Sequence, residues 1–457
     1  MTEKQGTPGL PEAPALFNEL LKQLKPSEDI IHTPLQIKGH CAFLLYVKTV
    51  VDGNTLQQTV IRPFFEMASK ESFSSYIQSL PNQIDMPSTS QLLNLLTVGA
   101  VLIAIGDKIF LLDFRLNKNN EVQETLMEPT IHGPQKGLSE DIETLVNLIR
   151  QRYANPSLKV ESLIVKNSAN QLITLLYDDD QVDPVILKEI KKRFKNIGTR
   201  LFQSAGDLQH FLNKGKFSLF PSALITERPD RIVYNLNDGK VIIAIDGSPD
   251  VIIAPVIFFD FMSSMEDNYH IFSVTTFTIL LRYMGLFVCL LLPSIYVVVT
   301  SYNPDIMRLE LALTVAGGRI GVPYPSFIEV FFMLFFVELL TEASMRLPKA
   351  VSSTATTVGG LILGTAATEA ALTSNIMIIV ISAVAISTFI IPINEMSFAI
   401  RVLRLLLLVY TILFGAVGLV VGFIGLIMLL VNKESYGRPY LSIPWMNKND
   451  ELRMDKK

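Results

Sequence analysis

Apolar residues follow two different patterns along this chain. Up to about His270 they occur in short stretches, either alternating with polar residues or recurring at helical spacing. From about Phe277 onward they form long continuous runs with few ionisable residues between them. Short stretches of this kind are typical of a folded α+β head, and runs of about 20 apolar residues are typical of membrane-spanning helices. The pattern therefore predicts two small α+β subdomains followed by an all-α, multi-pass membrane domain.

Turn and helix signals divide the head into two units. In the first, VGAVLIAI and GDKIFLLDF predict a hairpin with its turn at Gly106-Asp107. A further hairpin is predicted for Cys41–Val51 and the TLQQTVI segment that follows Asp52-Gly53-Asn54. In the second unit, LKVESLIV and LITLLYD are predicted strands, and PVILKEIKKRFKNI is a predicted amphipathic helix. GKVIIAIDG and DVIIAPVIFF are predicted to pair as strands.

These signals set the predicted domain boundaries. A helix that begins near Ser139 connects the two units, with its acids first and its bases last in accord with the helix dipole. The predicted domains are a disordered polar tail (1–29), a first α+β subdomain (30–125), a linker with the connecting helix (126–155), a second α+β subdomain (156–265), a transmembrane domain of about four to six spans (270–432) and a polar C-terminal tail (433–457).

Five apolar runs are candidate membrane spans: Thr276–Thr300, Ser326–Met345, Val351–Leu372, Asn375–Ile393 and Val402–Val431. The last run could be one tilted helix, or two short helices broken near Gly415 or Gly418. Residues 305–325 are too charged to span easily and are predicted to be interfacial or re-entrant. Basic pairs in two of the connections fit cytoplasmic loops, Arg346 with Lys349 and Arg401 with Arg404. The parity of the crossings, and with it the side of the C-terminal tail, stays open.

Composition and motifs exclude several classes of protein. The net charge of −4 leaves no basic footprint for nucleic acid. Two cysteines, Cys41 and Cys289, cannot build a disulfide framework. The N-terminal residues contain no apolar core of a secretory signal, so the head is expected on the cytoplasmic side. P-loop, dinucleotide-binding, zinc-protease and serine-hydrolase motifs are absent from the sequence, so we expect neither an enzyme nor a bound cofactor or metal.

The third apolar run has the most informative pattern of side chains. Threonines and apolar residues recur every three or four positions and share one helix face. The predicted pore-lining residues on that face are Thr354, Val358, Leu361, Thr365 and Thr368. Gly360 and Gly364 form a small-xxx-small pair that lets another helix approach closely. Such a face suits a pore whose hydrophobic ring gates by dewetting, and the alternative is ordinary packing with threonine hydroxyls bonded to their own helix.

Acidic residues within the apolar runs form the second group of candidates. A charge at the bilayer centre costs at least about 2.5–3.5 kcal/mol, so such residues face a protein interior or water. Glu338 and Glu342 lie one turn apart and repel each other. One of them is therefore expected to be protonated or to pair with Arg282 or Arg346. A cation path and a static network of ion pairs both explain these acids, and Glu369 would form a ring of carboxylates in a cyclic oligomer.

Several strings between about Leu35 and Pro444 resemble one family, the A subunit of GerA-type spore germinant receptors. They are EPTIHGPQKGLSEDIETLVNLIRQRY, TERPD, DGKVIIAIDGSPDVIIAP, EDNY, RIGVPYP, ELLTEASMRLP, VGGLILGTAATEA and SYGRPYLSIP. Each string alone is modestly specific, but together and in the family's order they are a strong signal. Two positions depart from the family pattern: Thr341 replaces an Arg, and Arg438 replaces an apolar residue.

The resemblance implies an architecture and a function. It implies a head of two α+β subdomains and a multi-pass body in the inner membrane of an endospore. It also implies assembly with a transporter-like B subunit, generally regarded as binding the nutrient, and with a lipoprotein C subunit. The A subunit is expected to oligomerise, as a pentamer, into a nutrient-gated ion channel whose pore is lined by the third apolar run.

Three other functions stay open on the sequence. SpoVAF-like relatives share the architecture and resemble accessory channels that release ions from the spore. A secondary transporter would use Glu338 or Glu342 as a proton relay, although no matching pair of broken helices is found in the sequence. A scaffold that clusters the B subunits would conduct no ions.

Overall fold

The computed structural model describes most of the chain. The described residues are 14–24, 27–37, 40–67, 69–116, 125, 128, 130–165, 170–195, 197, 200–212 and 218–442. They form two compact units, one with both large β-sheets that ends at Pro255, and one with residues 218–222 and those described from Val256 onward. Residues 1–13, 25–26 and 443–457 of the two predicted polar tails lie outside the described residues.

The first sheet has five antiparallel strands in the order β1-β2-β4-β5-β3. Their bounds are β1 Ile30–Ile37, β2 His40–Val47, β3 Gln83–Ile84, β4 Ala100–Ile105 and β5 Lys108–Asp113. The predicted hairpin at Gly106-Asp107 is confirmed, because Ile105 pairs with Lys108 across that turn. Every residue of β4 is buried, as expected of a central strand that is covered on both faces.

Helices cover both faces of the first sheet. They are α1 Ala15–Leu24, α2 Gly53–Leu56, α3 Arg62–Glu66, α4 Lys70–Gln78 and α5 Thr89–Val98. Side chains of 56–77 pack with one set of alternating β4 residues, which includes Val101 and Ile103. Side chains of α1 and α5 pack with the other set, which includes Leu102 and Ala104. Strand alternation thus divides the core into two apolar layers.

A helix occupies the segment after Asp52, where the sequence predicted the second strand of a hairpin. The Asp52 carboxylate accepts hydrogen bonds from the backbone N–H groups of Asn54, at 3.0 Å, and Thr55, at 3.3 Å. The Asp-Gly-Asn sequence is therefore a helix N-cap and not a hairpin turn. Leu56, Val60 and Phe64 follow at four-residue spacing and are fully buried, so helical periodicity decides the structure.

The segment 15–24 also differs from the prediction, which assigned residues 1–29 to a disordered tail. It forms α1, an amphipathic helix. Phe17, Leu20 and Leu24 are almost completely buried against the first sheet. The polar and proline-containing residues around this helix hide its apolar spacing, and the sheet surface that stabilises it is distant in sequence.

The second sheet also has five strands, in the order β6-β7-β9-β10-β8. Its strands are β6 Leu158–Val165, β7 Gln171–Asp178, β8 Leu224–Thr226, β9 Val241–Ile245 and β10 Val251–Ala254. Its helices are α6 Ile142–Arg152, α7 Pro184–Lys195, α8 Ala205–Leu212 and α9 Pro229–Asn237. The predicted pairing of GKVIIAIDG with DVIIAPVIFF is confirmed, because β9 pairs with β10. The predicted strands LKVESLIV and LITLLYD are also present, as β6 and β7, and they pair with each other.

Arg228 joins two of the strings that resemble the GerA family, TERPD and EPTIHGP. Its buried guanidinium donates to the Glu128 carbonyl oxygen at 2.8 Å, the Thr130 hydroxyl at 2.9 Å and the Pro134 carbonyl oxygen at 3.2 Å. The Asp230 carboxylate accepts from the same group at 2.7 Å and supplies the counter-charge. Carbonyl oxygens of an irregular segment thus obtain partners that secondary structure would otherwise provide.

The second unit is mainly helical. Its helices are α10 Phe272–Val297, α11 Leu309–Gly318, α12 Ser326–Arg346, α13 Lys349–Glu369, α14 Asn375–Phe389 and α15 Asn394–Val431. A short hairpin of β11 Glu434–Ser435 and β12 Arg438–Pro439 follows. Helices therefore form in all five predicted apolar runs, and α11 lies in the segment predicted to be interfacial or re-entrant.

The last apolar run is broken at Gly415, which has a left-handed φ of 62°. A Cβ on Gly418 would lie 2.1 Å from the Tyr410 carbonyl oxygen, and one on Gly422 would lie 2.8 Å from Leu407 Cδ1. Residues 407 and 422 would be about 22 Å apart along a straight helix. The two halves of α15 therefore fold back on each other, which is the two-helix alternative, and glycine at 415, 418 and 422 lets them approach closely.

Two helices among the described residues are long and apolar enough to cross a membrane, Phe272–Tyr302 and Asn394–Val431. The second of these is the helix that reverses at Gly415. The crossing of a bilayer by α12, α13 and α14 stays a prediction, since α12 carries several charges, α13 is rich in hydroxyl groups and α14 has only 15 residues.

The reversal of α15 predicts unequal effects of alanine at two of its glycines. Gly418→Ala places a methyl group against the Tyr410 backbone and should destabilise the protein by about 1–3 kcal/mol, the usual cost of overpacking. Gly425→Ala is the control, because its Cβ would meet no atom within 4 Å. The thermal unfolding midpoint of the full-length protein in detergent measures the difference. Equal midpoints for the two variants would contradict the folded-back arrangement.

Candidate functional site

Helix α13 has one packed side and one bare side. On the packed side, a Cβ on Gly360 would lie 3.7 Å from Leu340 Cδ2 of α12, and one on Gly364 would lie 3.8 Å from Ile378 Cδ1 of α14. The two glycines therefore sit where neighbouring helices come close, the arrangement that a small-xxx-small pair allows. The Ser352 hydroxyl donates to the Ser344 carbonyl oxygen at 2.7 Å and further ties α13 to the end of α12.

The five predicted pore-lining residues lie on the bare side of α13. At 3.6 residues per turn, positions 354, 358, 361, 365 and 368 fall within a sector of about 80°. Thr354, Val358, Leu361 and Thr365 are exposed, and Thr368 is half-buried. The exposed fraction is 48% for Val358 and 67% for Leu361. Within the described part of the chain, nothing covers the middle of this face.

The threonine hydroxyls on this face donate to their own helix. Thr365 Oγ1 donates to the Leu361 carbonyl oxygen at 3.0 Å, and Thr368 Oγ1 donates to the Thr365 carbonyl oxygen at 2.8 Å. This is the back-bonding of the packing alternative, so it does not by itself indicate a pore. A hydroxyl has one proton and two lone pairs, so each oxygen can still accept a hydrogen bond or contact a cation.

Glu338 of α12 is held between two arginines of α15. Its Oε2 accepts from Arg401 Nε at 2.6 Å, and its Oε1 accepts from Arg404 Nη2 at 2.5 Å. Arg404 is buried, and its other terminal nitrogen lies 3.6 Å from Cys289 Sγ of α10. That sulfur in turn lies 3.2 Å from the Thr388 hydroxyl of α14. One polar chain therefore connects four helices.

The arginine positions correct the prediction that Arg401 and Arg404 lie in a cytoplasmic loop. Both are inside α15, and their charges are paired with Glu338. They therefore cannot be counted as loop charges when the orientation of the helices is judged.

The other candidate acids have different surroundings. Glu342 pairs at 2.6 Å with Arg346 on its own helix, and both side chains are exposed. Arg346 is one of the two partners that the sequence predicted. Arg282 pairs with Asp267 and also donates to the Met262 carbonyl oxygen at 3.3 Å, so its predicted pairing with Glu338 or Glu342 is wrong. Glu369 is exposed at the end of α13, and no basic group lies within ion-pairing distance of it among the described residues.

Glu329 is a buried acid that the list of sequence candidates lacks. Its Oε1 accepts from the Ser374 N–H at 2.6 Å, the Ser374 hydroxyl at 2.7 Å and the Thr373 hydroxyl at 3.1 Å. Its Oε2 lies 3.4 Å from Arg319 Nε. Glu329 thus holds the start of α14. The Thr-Ser pair before that helix was the sequence signal that could have indicated a capped helix start in need of an acceptor.

Comparison with known proteins identifies the family. The family model described as "Bacillus/Clostridium GerA spore germination protein" matches residues 18–454. The chain belongs to the GerA family. Among curated proteins it is 34% identical over 347 residues to the spore germination protein GerLA of Bacillus cereus, covering 74% of this chain and 70% of GerLA. It is 33% identical over 423 residues to the "Uncharacterized membrane protein YfkQ" of Bacillus subtilis (strain 168), covering 91% of this chain and 82% of YfkQ.

This GerA-family chain is also similar to a solved structure, the crystal structure of the N-terminal domain of the A subunit of the Bacillus megaterium spore germinant receptor GerK3. The alignment has a TM-score of 0.40 and 22% sequence identity, and it covers 53% of this chain and 94% of that domain.

The two acids of α12 should differ sharply when each is neutralised. Glu338→Gln leaves two guanidinium groups without a counter-charge, one of them buried, and should destabilise the protein on the order of 3 kcal/mol. Glu342→Gln, four residues away on the same helix, breaks an exposed pair and should cost less than about 1 kcal/mol. Chemical unfolding of the two full-length variants in detergent compares them. Similar losses in both would contradict the structural role assigned to Glu338.

Proposed function

We propose that this chain is the A subunit of a spore germinant receptor, and that several copies form a nutrient-gated ion channel in the inner membrane of the spore. Membership in the GerA family and a relative named as a spore germination protein support a role in germination. The main observation in support of a channel is the bare face of α13, where Thr354, Val358, Leu361 and Thr365 are exposed.

A shared aqueous axis fits this face better than lipid does. Threonines bonded to their own helix tolerate lipid, so the hydroxyl groups alone do not decide the matter. Glu369 supports aqueous surroundings for this face, because it lies on the same side of the helix and is exposed. A carboxylate without a partner is costly next to acyl chains and is stable beside water. Copies of α13 around one axis would bring these carboxylates together at one end of the pore.

The chemistry of the face favours cations. The hydroxyl protons of Thr365 and Thr368 are used within the helix, so the oxygens facing outward act as hydrogen-bond acceptors. A ring of acceptor oxygens with a ring of carboxylates at one end attracts cations and repels anions. Val358 and Leu361 would form apolar rings that exclude water when the helices are close, and these rings are the proposed gate.

The surroundings of Glu338 count against the transporter alternative. A proton relay needs a carboxyl group that can leave its partners in each cycle. Both oxygens of Glu338 are occupied by arginines of α15, and the same cluster connects four helices. Breaking this cluster in each cycle would leave the buried guanidinium of Arg404 without a counter-charge. We therefore assign Glu338 to the framework that holds the channel.

Contacts at the two ends of the helical unit support an even number of crossings. Tyr302, at the end of the first long helix, packs on Gly415, where α15 reverses. Lys433, directly after α15, donates to Ser218 Oγ at 2.5 Å, and Ser218 precedes the first long helix. We propose six crossings, by α10, α12, α13, α14 and the two halves of α15. The polar C-terminal tail would then lie on the same side as the head, which we place in the spore core.

The channel would act within a larger receptor. We propose a homo-oligomer, with a pentamer as the expected state, assembled with the transporter-like B subunit and the lipoprotein C subunit. The nutrient signal would arise in the B subunit and reach the ring of A subunits through protein contacts. We keep the domain boundaries predicted from the sequence as part of this proposal. The head extends to residue 265, and the membrane domain extends from 270 to 432.

Shrinking the proposed gate should make the spore membrane leak. Leu361→Ala removes most of one apolar ring of the proposed gate and should raise the resting efflux of potassium ions about tenfold or more, because dewetting weakens when a pore widens. Efflux from dormant spores that carry the variant is measured with an ion-selective electrode, without added nutrient.

The matched control for this experiment is Leu413→Ala. Leu413 is a leucine of the same exposure, 66% against 67% for Leu361, but it lies on α15. It should leave both resting and nutrient-triggered efflux unchanged. Resting and triggered efflux that stay normal in both Leu361→Ala and Val358→Ala would overturn the assignment of α13 to the pore.

A further inference from the structure

Residues 433–440 form a closed hairpin directly after α15, which we call the C-terminal strap. Its strands pair Glu434 with Pro439 and Ser435 with Arg438. The turn residues Tyr436 and Gly437 both have positive φ angles, and the Tyr440 N–H closes the hairpin on the Lys433 carbonyl oxygen at 2.9 Å. A two-stranded hairpin is marginal on its own in water, so this one depends on what it packs against.

The strap holds two chain segments that are far apart in sequence. Ser435 is completely buried, and its hydroxyl donates to the Ser222 carbonyl oxygen at 2.7 Å. The same hydroxyl accepts from the Val256 N–H at 3.1 Å. The Phe258 N–H donates to the Tyr440 carbonyl oxygen at 2.9 Å. The strap is therefore hydrogen-bonded to backbone groups of both segments.

Lys433 and Tyr440 complete the contact. Lys433 Nζ donates to the Ser218 hydroxyl and to the Phe220 carbonyl oxygen. It also lies 5.0 Å from the ring centre of Tyr440 and 5.9 Å from that of Phe220. No carboxylate lies within ion-pairing distance of this ammonium among the described residues, and burial lowers the pKa of Lys433 to about 8. A lysine held in this way is a fixed part of the packing and not a solvated surface charge.

The two segments held by the strap belong to the helical unit and flank one piece of the head. Between residue 222 and Val256 the chain leaves the helical unit to form β8, α9, β9 and β10, and then returns. After Val256 it continues into α10. The chain from this part of the head therefore reaches α10 by covalent connection. The strap supplies a second connection, from the same two segments to α15, which is tied through Arg401 and Arg404 to Glu338 of α12.

We propose that the C-terminal strap is the coupling element that transmits a movement of segment 223–255 to α15 and its neighbouring helices. Lys433 and Ser435 are its positioning residues. This inference rests on the proposed channel function and adds to it a route by which the head controls the pore. If the strap is released, α10 still follows the head but α15 does not, so the signal no longer acts on both helices.

The test compares four variants in spores. Lys433→Met keeps the length of the side chain and removes its hydrogen bonds and its charge. Ser435→Ala removes the hydroxyl that joins Ser222 to Val256. Lys433→Arg preserves donors and charge and should restore most of the response. Glu434→Gln changes an exposed residue of the same hairpin and is the matched control.

The probe is a defined mixture of amino acids, sugars and nucleosides, and the readout is the rate of potassium efflux after its addition. Lys433→Met and Ser435→Ala should each lower the triggered rate about tenfold, the factor that corresponds to losing one good hydrogen bond in a coupled pair of states. The amount of the chain in the membrane, measured by immunoblot, should stay within about twofold of normal, since each variant changes the contacts of one side chain and leaves the packing of the helices intact.

A double variant separates this inference from the proposed pore. In Leu361→Ala with Lys433→Met, the nutrient-independent leak should persist while the triggered response is lost. Normal triggering in both Lys433→Met and Ser435→Ala would overturn the coupling role of the strap. Loss of the chain from the membrane in both variants would overturn it as well, because the strap would then serve only folding. A missing leak in Leu361→Ala alone would count against the pore and not against the strap.

Discussion

The carboxylate of Glu338, shared between Arg401 and Arg404, is the contact on which the helical unit depends. Glu338 lies 63 residues from Arg401 and 66 residues from Arg404 in the sequence. A charge that cannot reach water must be paired inside the protein, and the pair can form only when α12 and α15 are correctly aligned. Cys289 and Thr388 extend the same cluster to α10 and α14. The cluster thus selects one arrangement of four helices from the many that apolar packing alone would allow.

This arrangement limits which side chains can line the proposed ion path. The carboxylate of Glu338 is paired with arginines and that of Glu329 is hydrogen-bonded to the start of α14, so two of the three glutamates of α12 belong to the framework. Helix α13 carries no charge in its middle and presents hydroxyl oxygens and apolar side chains on its bare side. In the proposed channel, the charged residues therefore hold the helices, and nearly neutral side chains line the path. The departure from the family pattern at Thr341 is consistent with this division, because Glu338 obtains its arginines from α15.

The glycines of α15 determine a second feature of the helical unit, the reversal of its last helix. The reversal at Gly415 returns the chain to the end of the unit from which α10 starts, where the strap packs against residues 218–222 and 256–258. The beginning and the end of the helical unit are consequently joined. A movement applied at this junction acts on the first and last helices together, which is the physical basis of the proposed coupling.

The sequence by itself determined the features that depend on neighbours within about ten residues. Strand alternation and the Gly106 turn predicted a hairpin that is present, and local sequence signals predicted α6 and α7. The spacing of Thr354, Val358 and Leu361 predicted that they share one face of α13. The α+β head, the apolar helices and the GerA family followed from the same local patterns and ordered strings.

Only the tertiary structure decided the features that depend on distant partners. Asp52 proved to cap a helix because Leu56, Val60 and Phe64 could be buried on a sheet formed elsewhere in the chain. The partners of Glu338, the pairing of Arg282 with Asp267 and the fold-back of α15 could not be read from spacing. The sequence shows that a charged residue needs a counter-charge and that a glycine allows close packing. Which residue becomes the neighbour is determined by the packing of whole helices, and that packing depends on all of their contacts at once.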